Sequence, residues 1–262
     1  KDFGEQLNAE NNLELKSGLR QLFFEHLPAQ SEYKLSSDFT TIRKPESPTL
    51  EGRGFVHVPN NRISGNKAID IGYYISCVNL HQYDAQHPSA WSIPLDHLRV
   101  DVDADKTSVA AQQLADIMGD KELPFAQSKK VVNTADTGYS VPKFISPLID
   151  DFDNLLLINR LRYGMKVYKA YTGEQKGKGR DKVYEDDPYY LQIENQRTFK
   201  NPKTKKTFIK AQRPIFDLPV DETTTYETVT AKGRKIIVDI YRWNDVLLRG
   251  KNAYKMDDKP FD

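Results

Sequence analysis

Lys130-Val-Val-Asn-Thr-Ala135-Asp136-Thr-Gly138-Tyr139-Ser140-Val-Pro142-Lys-Phe144-Ile145-Ser-Pro-Leu148-Ile149 is the stretch whose reading decides the fold. The apolar and β-branched run over residues 131–135 predicts a short strand. A carboxylate, Asp136, arrives where that run ends. Gly138 is expected to permit the turn that follows, because a residue without Cβ takes positive φ freely. Ser140 fits a helix N-cap, and Pro142 fits the first turn, where its missing N–H costs nothing. Phe144, Ile145, Leu148 and Ile149 then recur at helical spacing. Strand, acid, glycine turn and helix in this order put a carboxylate at the C-terminal end of a strand, where open α/β sheets hold ligands. The alternative is that Asp136 only caps a turn.

Working back from this stretch, residues 106–118 predict a helix capped by Asp103 or Asp105 and closed by Gly119. Asp101, Asp103 and Asp105 suggest a calcium loop, but Lys106 and Gln112 occupy the positions where that loop needs Gly and Glu. Upstream lie strand patterns over residues 31–43, 55–58, 68–80 and 91–100, joined closely enough to suggest an antiparallel meander. Residues 59–67 form a polar turn region rich in backbone donors, suited to phosphate contacts or to a plain connection. Asp38 falls inside the first strand. It either faces solvent or is compensated by a metal or another cation, because a buried unpaired charge is costly. Residues 1–30 predict a helix with Leu19, Leu22, Phe23 and Leu27 on its apolar face, broken by Pro28. Downstream, residues 154–159 are continuously apolar between two asparagines and predict a strand buried on both faces. This succession defines a mixed α/β layered domain.

Residues 160–245 change character. Tyr163, Val167, Tyr168 and Tyr171 precede a basic glycine-rich loop at 173–179. β-type segments follow at 189–193, 207–210, 223–230 and 235–243, separated by turn signals, so the region predicts a mainly β insertion. The 262-residue chain has a formal net charge of only +1. Its distribution is uneven: residues 158–213 hold fifteen Lys and Arg against six Asp and Glu, a net of +9, leaving −8 for the rest. Such asymmetry suits either a polyanion-binding surface or a solvated lysine-rich insertion.

Cys77 is the single cysteine, which excludes a disulfide framework and fits a reducing cytosol. No apolar run approaches the roughly 18 residues of a membrane span, and no signal peptide opens the chain. The chain opens on Lys1, closes on Phe261-Asp262, and reads as a piece of something longer. His57, His81, His87 and His97 have no zinc or triad spacing, and no nucleophile-elbow motif is present. Two acids on or at the ends of strands suggest metal-assisted phosphoryl chemistry. Paired Mg²⁺ ions take hard oxygen ligands, and two ions about 3.5–4 Å apart serve both the attacking and the leaving oxygen.

The motifs in order are Leu35-Ser-Ser-Asp38 with Pro45 and Thr49-Leu-Glu-Gly-Arg53; Gly65-Asn-Lys67 with Ile71-Gly72; Trp91-Ser-Ile-Pro-Leu95; Ala135-Asp136-Thr-Gly-Tyr139-Ser140; and Leu155 to Ile158 with Arg160 and Arg162. In this order they resemble the DDE-type transposases of bacterial insertion sequences, in the group with a ribonuclease H-like catalytic domain and a β-rich insertion. The resemblance covers nearly the whole chain.

It implies an α/β fold with a ribonuclease H-like mixed sheet, flanking helices and a mainly β insertion. The expected layout is a helical segment at 1–30, the core at 31–160, the basic insertion at 161–245 and a tail at 246–262. In such enzymes the first Asp lies on the first strand and the second just after the fourth, which by position are Asp38 and Asp136. The resemblance implies that both are catalytic and bind Mg²⁺ or Mn²⁺ for in-line attack on a DNA phosphodiester.

A third acid, a Glu on a helix after the insertion, normally completes the site. None is identifiable among Glu227, Asp239 and Asp245, so it is expected beyond residue 262. The expected partner is double-stranded DNA, as transposon ends and target, bound by a homodimer in a bacterial, nucleoid-associated cytoplasmic setting with no membrane. Arg160, Arg162, Lys166, Lys169, Lys176, Lys178, Arg180, Lys203, Lys205 and Lys206 are the candidate phosphate contacts. Tyr163, Tyr168 and Tyr171 either stack on bases or pack the insertion.

Overall fold

Alternation along one strand sets the first sheet. In the computed structural model, residues 32–43 form β1 (Glu32–Arg43), with Tyr33, Leu35 and Ser37 buried and Lys34 and Asp38 exposed, the period-2 mark of a strand with one covered face. The structure describes residues 9–27, 30–47, 49–57, 69–84, 87–175, 177, 182–192, 196–201, 203–230, 233–244 and 246–247. The chain divides into two units, residues 1–160 and 161–262.

The first unit runs α1 (Ala9–His26), β1, β2 (Gly54–His57), β3 (Ile69–Asp84), β4 (His87–Val100), α2 (Lys106–Gly119), β5 (Lys130–Ala135), α3 (Pro142–Asp151) and β6 (Leu155–Asn159). β3 pairs antiparallel with β1 on one edge and with β2 and β4 on the other: Gly72 faces both Arg43 and Gly54, and Tyr74 faces both Thr41 and Val100. β5 lies parallel to β1, and β6 parallel to β5. The result is a mixed α/β unit whose sheet reads β4-β3-β1-β5-β6, with β2 beside β4 at the β3 edge. β5, α3 and β6 form the helical crossover that parallel neighbours require. A Cβ at Gly72 would collide with the Ile42 carbonyl, so the absence of a side chain there lets β1 and β3 close.

One face of the sheet is covered. Ala110, Ala111, Leu114, Ile117 and Met118 form a continuous stripe on α2, and with Phe144 and Leu148 of α3 they join Leu35, Val78, Leu80 and Val131 in one core. Each fully buried aliphatic side chain contributes about 1.5–3 kcal/mol.

Two sequence expectations fail here for stated reasons. β6 is not buried on both faces: Leu155 is buried, but Leu156 and Ile158 are 46% and 52% exposed. It is an edge strand, and the α2–α3 core lies on the face of Leu155. α1 does not pack through Leu19 and Leu22, which are 47% and 50% exposed. Its contact stripe is Lys16, Arg20, Phe24 and Leu27. Arg20 Nε donates to the Leu95 carbonyl at 2.9 Å, Lys16 and Arg20 pair with Asp96, and Phe24 meets Tyr33 and Phe125 edge-on. Polar head-group contacts of two basic residues, which a hydrophobicity pattern does not register, set the orientation of the helix.

In the second unit, β7 (Lys166–Lys169), β8 (Tyr189–Tyr190), β11 (Arg213–Pro214) and β14 (Val246–Leu247) form a four-stranded sheet ordered β11-β8-β7-β14. Val167, Tyr189, Ile215, Leu218 and Val246 are its core, and Trp243 Nε1 donates to the Leu218 carbonyl at 3.2 Å. Two separate ribbons accompany it: β9 (Gln196–Lys200) with β10 (Thr207–Ala211), and β12 (Glu222–Val229) with β13 (Lys235–Arg242). The mainly β character expected from the sequence is present in this unit. Among the described residues no helix is long and apolar enough to cross a membrane.

Candidate functional site

Asp38 lies on β1, and Asp136 directly follows β5, the parallel neighbour of β1. β1 and β5 run parallel with Ser37 opposite Ala135, so the two aspartates occupy the next step along chains about 4.8 Å apart. Directly beneath them Ser37 Oγ donates to Asn133 Oδ1 at 3.0 Å in a buried pair that holds β1 to β5. Both aspartates are exposed. Each is fixed through one oxygen by a main-chain donor: Phe39 N to Asp38 Oδ1 at 2.8 Å, and Gly138 N to Asp136 Oδ1 at 2.7 Å.

The turn after β5 is built differently from the sequence expectation. Gly138 is not among the glycines with positive φ. Its role is spatial, since a Cβ there would sit 3.0 Å from Asp136 Oδ1. Ser140 is not the N-cap of α3. That position is Val141, with Pro142 at the helix start, and Ser140 Oγ donates instead to the Arg160 carbonyl at 3.0 Å, tying the turn to the end of β6.

Tyr139 is the residue that sequence reasoning left without a role. It is 1% exposed, its ring stacks on Phe39 at 5.0 Å and 11°, and Phe144 meets it edge-on at 4.9 Å. Its hydroxyl is buried with no hydrogen-bond partner among the described residues, an arrangement that costs roughly 1–3 kcal/mol. Burial, then the negative charges of Asp38 and Asp136, push its ionisation well above the usual tyrosine range. Both carboxylates therefore lie within electrostatic reach of one hydroxyl. Cys77 on β3 is the register partner of Asp38 on β1, and His97 on β4 is the register partner of Cys77. Burial first, then Asp38, raises the Cys77 thiol. The signal for Tyr139 and Cys77 was strand register, which a single sequence does not display.

Each of these two exposed carboxylates keeps a second oxygen that meets no protein donor among the described residues, a hard-oxygen donor in type. It fits Mg²⁺ or Mn²⁺, which take one or two carboxylates and keep several waters. Among the described residues no group of three His, Cys, Asp or Glu side chains is placed to hold a metal ion. Glu227 and Asp239 lie on the β12–β13 ribbon of the second unit, paired with Lys235 and with the Thr225 hydroxyl at 2.5 and 2.9 Å. Asp245 lies outside the described residues. Asp105 is a cap and not a calcium ligand in this arrangement: its Oδ1 accepts from Ser108 N at 3.0 Å at the start of α2.

The candidate cationic contacts distribute as follows. Arg160 is exposed at the end of the first unit. In the second unit Arg162 and Lys166 are exposed and Lys169 is half-buried. Lys176, Lys178 and Arg180 lie outside the described residues, as do residues 59–67 of the polar turn. Lys203, Lys205 and Lys206 are exposed at the tip of the β9–β10 ribbon. Residues 196–211 carry six Lys or Arg and no acid, and Arg197 pairs across the strands with Lys210. The tip is set by Asn201, whose Oδ1 accepts from Lys203 N and Thr204 N at 2.9 and 3.1 Å. Lys205, with φ of 59°, is the only non-glycine residue with positive φ among the described residues. Of the tyrosines, Tyr168 is buried against Tyr184 and serves packing, Tyr171 lies under Lys182, and Tyr163 is 61% exposed.

No protein-family model matches this chain, and no curated protein matches it.

Proposed function

We propose that this chain is the catalytic region of a DDE-type transposase, with a ribonuclease H-like sheet, that cleaves and joins DNA phosphodiesters with Mg²⁺ or Mn²⁺. The observation that carries the reading is the placement of Asp38 on β1 and of Asp136 directly after β5, each one residue past the Ser37–Ala135 pair of these adjacent parallel strands. With the short β2 set aside, the first aspartate lies on the first strand and the second directly after the fourth, as the resemblance implies.

In this reading Asp38 and Asp136 are the catalytic metal ligands. Gly138 and Phe39 hold one oxygen of each through their main-chain N–H groups. Divalent ions bound there supply Lewis acidity to the attacking and leaving oxygens. Arg160, Arg162, Lys166, Lys169, Lys203, Lys205 and Lys206 neutralise phosphates of double-stranded DNA, and the described β9–β10 ribbon has the two-stranded form that a major groove admits. The setting is the nucleoid of a bacterial cytoplasm, and the acting species on paired ends is a homodimer.

A second reading is a non-catalytic DNA-binding module lacking the third acid. It is favoured by the acid-free ribbon, which needs neither aspartate. Nicking of supercoiled DNA separates the two. The transposase reading expects Mg²⁺- or Mn²⁺-dependent nicking that Asp38→Ala and Asp136→Ala each reduce at least about a hundredfold, on the scale of losing a metal ligand. DNA binding with no nicking in any divalent ion selects the second reading.

A further inference from the structure

The β12–β13 ribbon exposes the side chains that a sheet ordinarily buries. Along β13, Ile236, Val238 and Ile240 alternate with Lys235, Ile237 and Asp239, so the two sets lie on opposite faces. All four aliphatic side chains are exposed. A ribbon of two strands is marginally stable in water, and further strands give such a sheet stability of its own.

Among the described residues β13 pairs with β12 alone, so one of its edges is open. The hairpin turn fixes which residues serve that edge. Thr230 N donates to the Arg234 carbonyl at 2.8 Å, so Arg234 turns its main-chain groups toward β12. Every second residue beyond it does the same, because bonded and non-bonded pairs alternate along an antiparallel ladder. Ile236, Val238 and Ile240 therefore bond inward, and Lys235, Ile237 and Asp239 direct their N–H and C=O groups outward.

This edge matches itself. In an antiparallel pairing of two β13 strands centred on Ile237, each Lys235 stands opposite Asp239 of the second copy. Centring on Lys235 or on Asp239 sets like charges together. Centring on Ile236 or Val238 leaves both charges opposite uncharged side chains. Opposite charges across strands stabilise a pairing and like charges oppose it, so charge selects the Ile237 register. Both groups can respond. Asp239 Oδ1 accepts from Thr225 Oγ1 at 2.9 Å, while its other oxygen meets no donor among the described residues. Lys235 pairs with Glu227 and has three donors on its ammonium. The β12 edge offers no such match. Its outward residues, Thr223, Thr225, Glu227 and Val229, include a carboxylate and no cation.

We propose that the open β13 edge pairs with β13 of a second copy of this chain, centred on Ile237, to form a four-stranded sheet in the order β12-β13-β13-β12. The contact is isologous, so it closes at two copies. It sets Ile236 beside Val238 of the second copy and joins the two apolar faces across the seam. This goes beyond the proposed function, which sets no interface between its two copies, and it stands whether or not Asp38 and Asp136 bind metal.

Sedimentation velocity of the full chain without DNA, over a series of protein concentrations, tests it. Wild type should shift from monomer to dimer as concentration rises. Asp239→Lys and Lys235→Asp each set like charges opposite one another and should stay monomeric where wild type is dimeric. The double variant exchanges the charges and should recover the dimer. Ile237→Pro removes an outward N–H and no bond to β12, as proline on a free edge does. It should be monomeric, with circular dichroism matching that of monomeric wild type.

Wild type that remains monomeric at every concentration overturns the proposal. So does a dimer that survives both Asp239→Lys and Ile237→Pro, or a double variant no more dimeric than the single ones. Open assemblies larger than a dimer also overturn it. Nicking of DNA is read separately, so failure of the dimer and failure of the aspartate reading remain distinguishable.

Discussion

Asp105 shows how much a single carboxylate can organise. Its Oδ1 accepts from Thr107 Oγ1, Ser108 N and Ser108 Oγ at 2.7, 3.0 and 3.0 Å, and its Oδ2 pairs with Lys143 at 2.9 Å, so one side chain starts α2 and ties it to α3. The Thr107 hydroxyl, then Lys143 and the Ser108 N–H, hold its carboxyl well below the usual carboxylate range. A depressed carboxylate stabilises the fold above its unfolded value and loses that contribution as pH falls through the acid range. Asp105→Ala should therefore cost about 1 kcal/mol at pH 7, measured by urea denaturation, and the difference from wild type should shrink as pH falls below about 4. An equal difference at pH 7 and pH 3 would contradict this. Asp105 was legible in the sequence because a cap acts within three residues of itself. The placement of Asp38 and Asp136 at strand positions was legible for a similar reason, from alternation and from the end of an apolar run. Gly138 was misread because the sequence marks a glycine but not whether φ or space requires it. The Tyr139 hydroxyl was not legible, because its burial depends on Phe39, about a hundred residues away in the chain.

Among the elements, the β9–β10 ribbon carries the sharpest electrostatic statement. Residues 196–211 carry six Lys or Arg, and Lys203, Lys205 and Lys206 are exposed together at the ribbon tip, where like charges repel. The ribbon holds no acid to offset them. Lys205 has a left-handed backbone, a conformation that glycine or asparagine adopts more cheaply. Phosphate binding would offset both costs. Replacing Lys203, Lys205 and Lys206 with Ala should weaken DNA binding and lower the slope of log K against log salt by about one for each phosphate left without its lysine. Asp38→Ala should leave that slope unchanged. An unaltered slope in the triple variant would remove the ribbon from the DNA interface. Helices and strands were legible where one period dominated, as in α2 and β1. They were misread where the partner decides. α1 docks through Phe24 and through the ion pairs of Lys16 and Arg20 with Asp96, and β6 is an edge strand whose Leu156 and Ile158 face outward. Neither outcome follows from local hydrophobicity.

For the molecule as a whole, strand order is what brings the site together. β1 and β5 are separated by the β2–β4 strands and α2 in the chain, yet they become parallel neighbours, and this alone joins two distant aspartates. The mixed α/β character was legible from the alternation of strand and helix patterns, but the register that sets Ser37 against Ala135 was not, because pairing is a property of two segments at once. In the proposed function Asp38 and Asp136 share a divalent ion. Crystals soaked in Mn²⁺ and measured for anomalous scattering test it most directly. The predicted result is a manganese peak coordinated by carboxylate oxygens of both Asp38 and Asp136, absent in Asp136→Ala. A saturating soak that leaves the pair bare, or that places manganese elsewhere only, would contradict it.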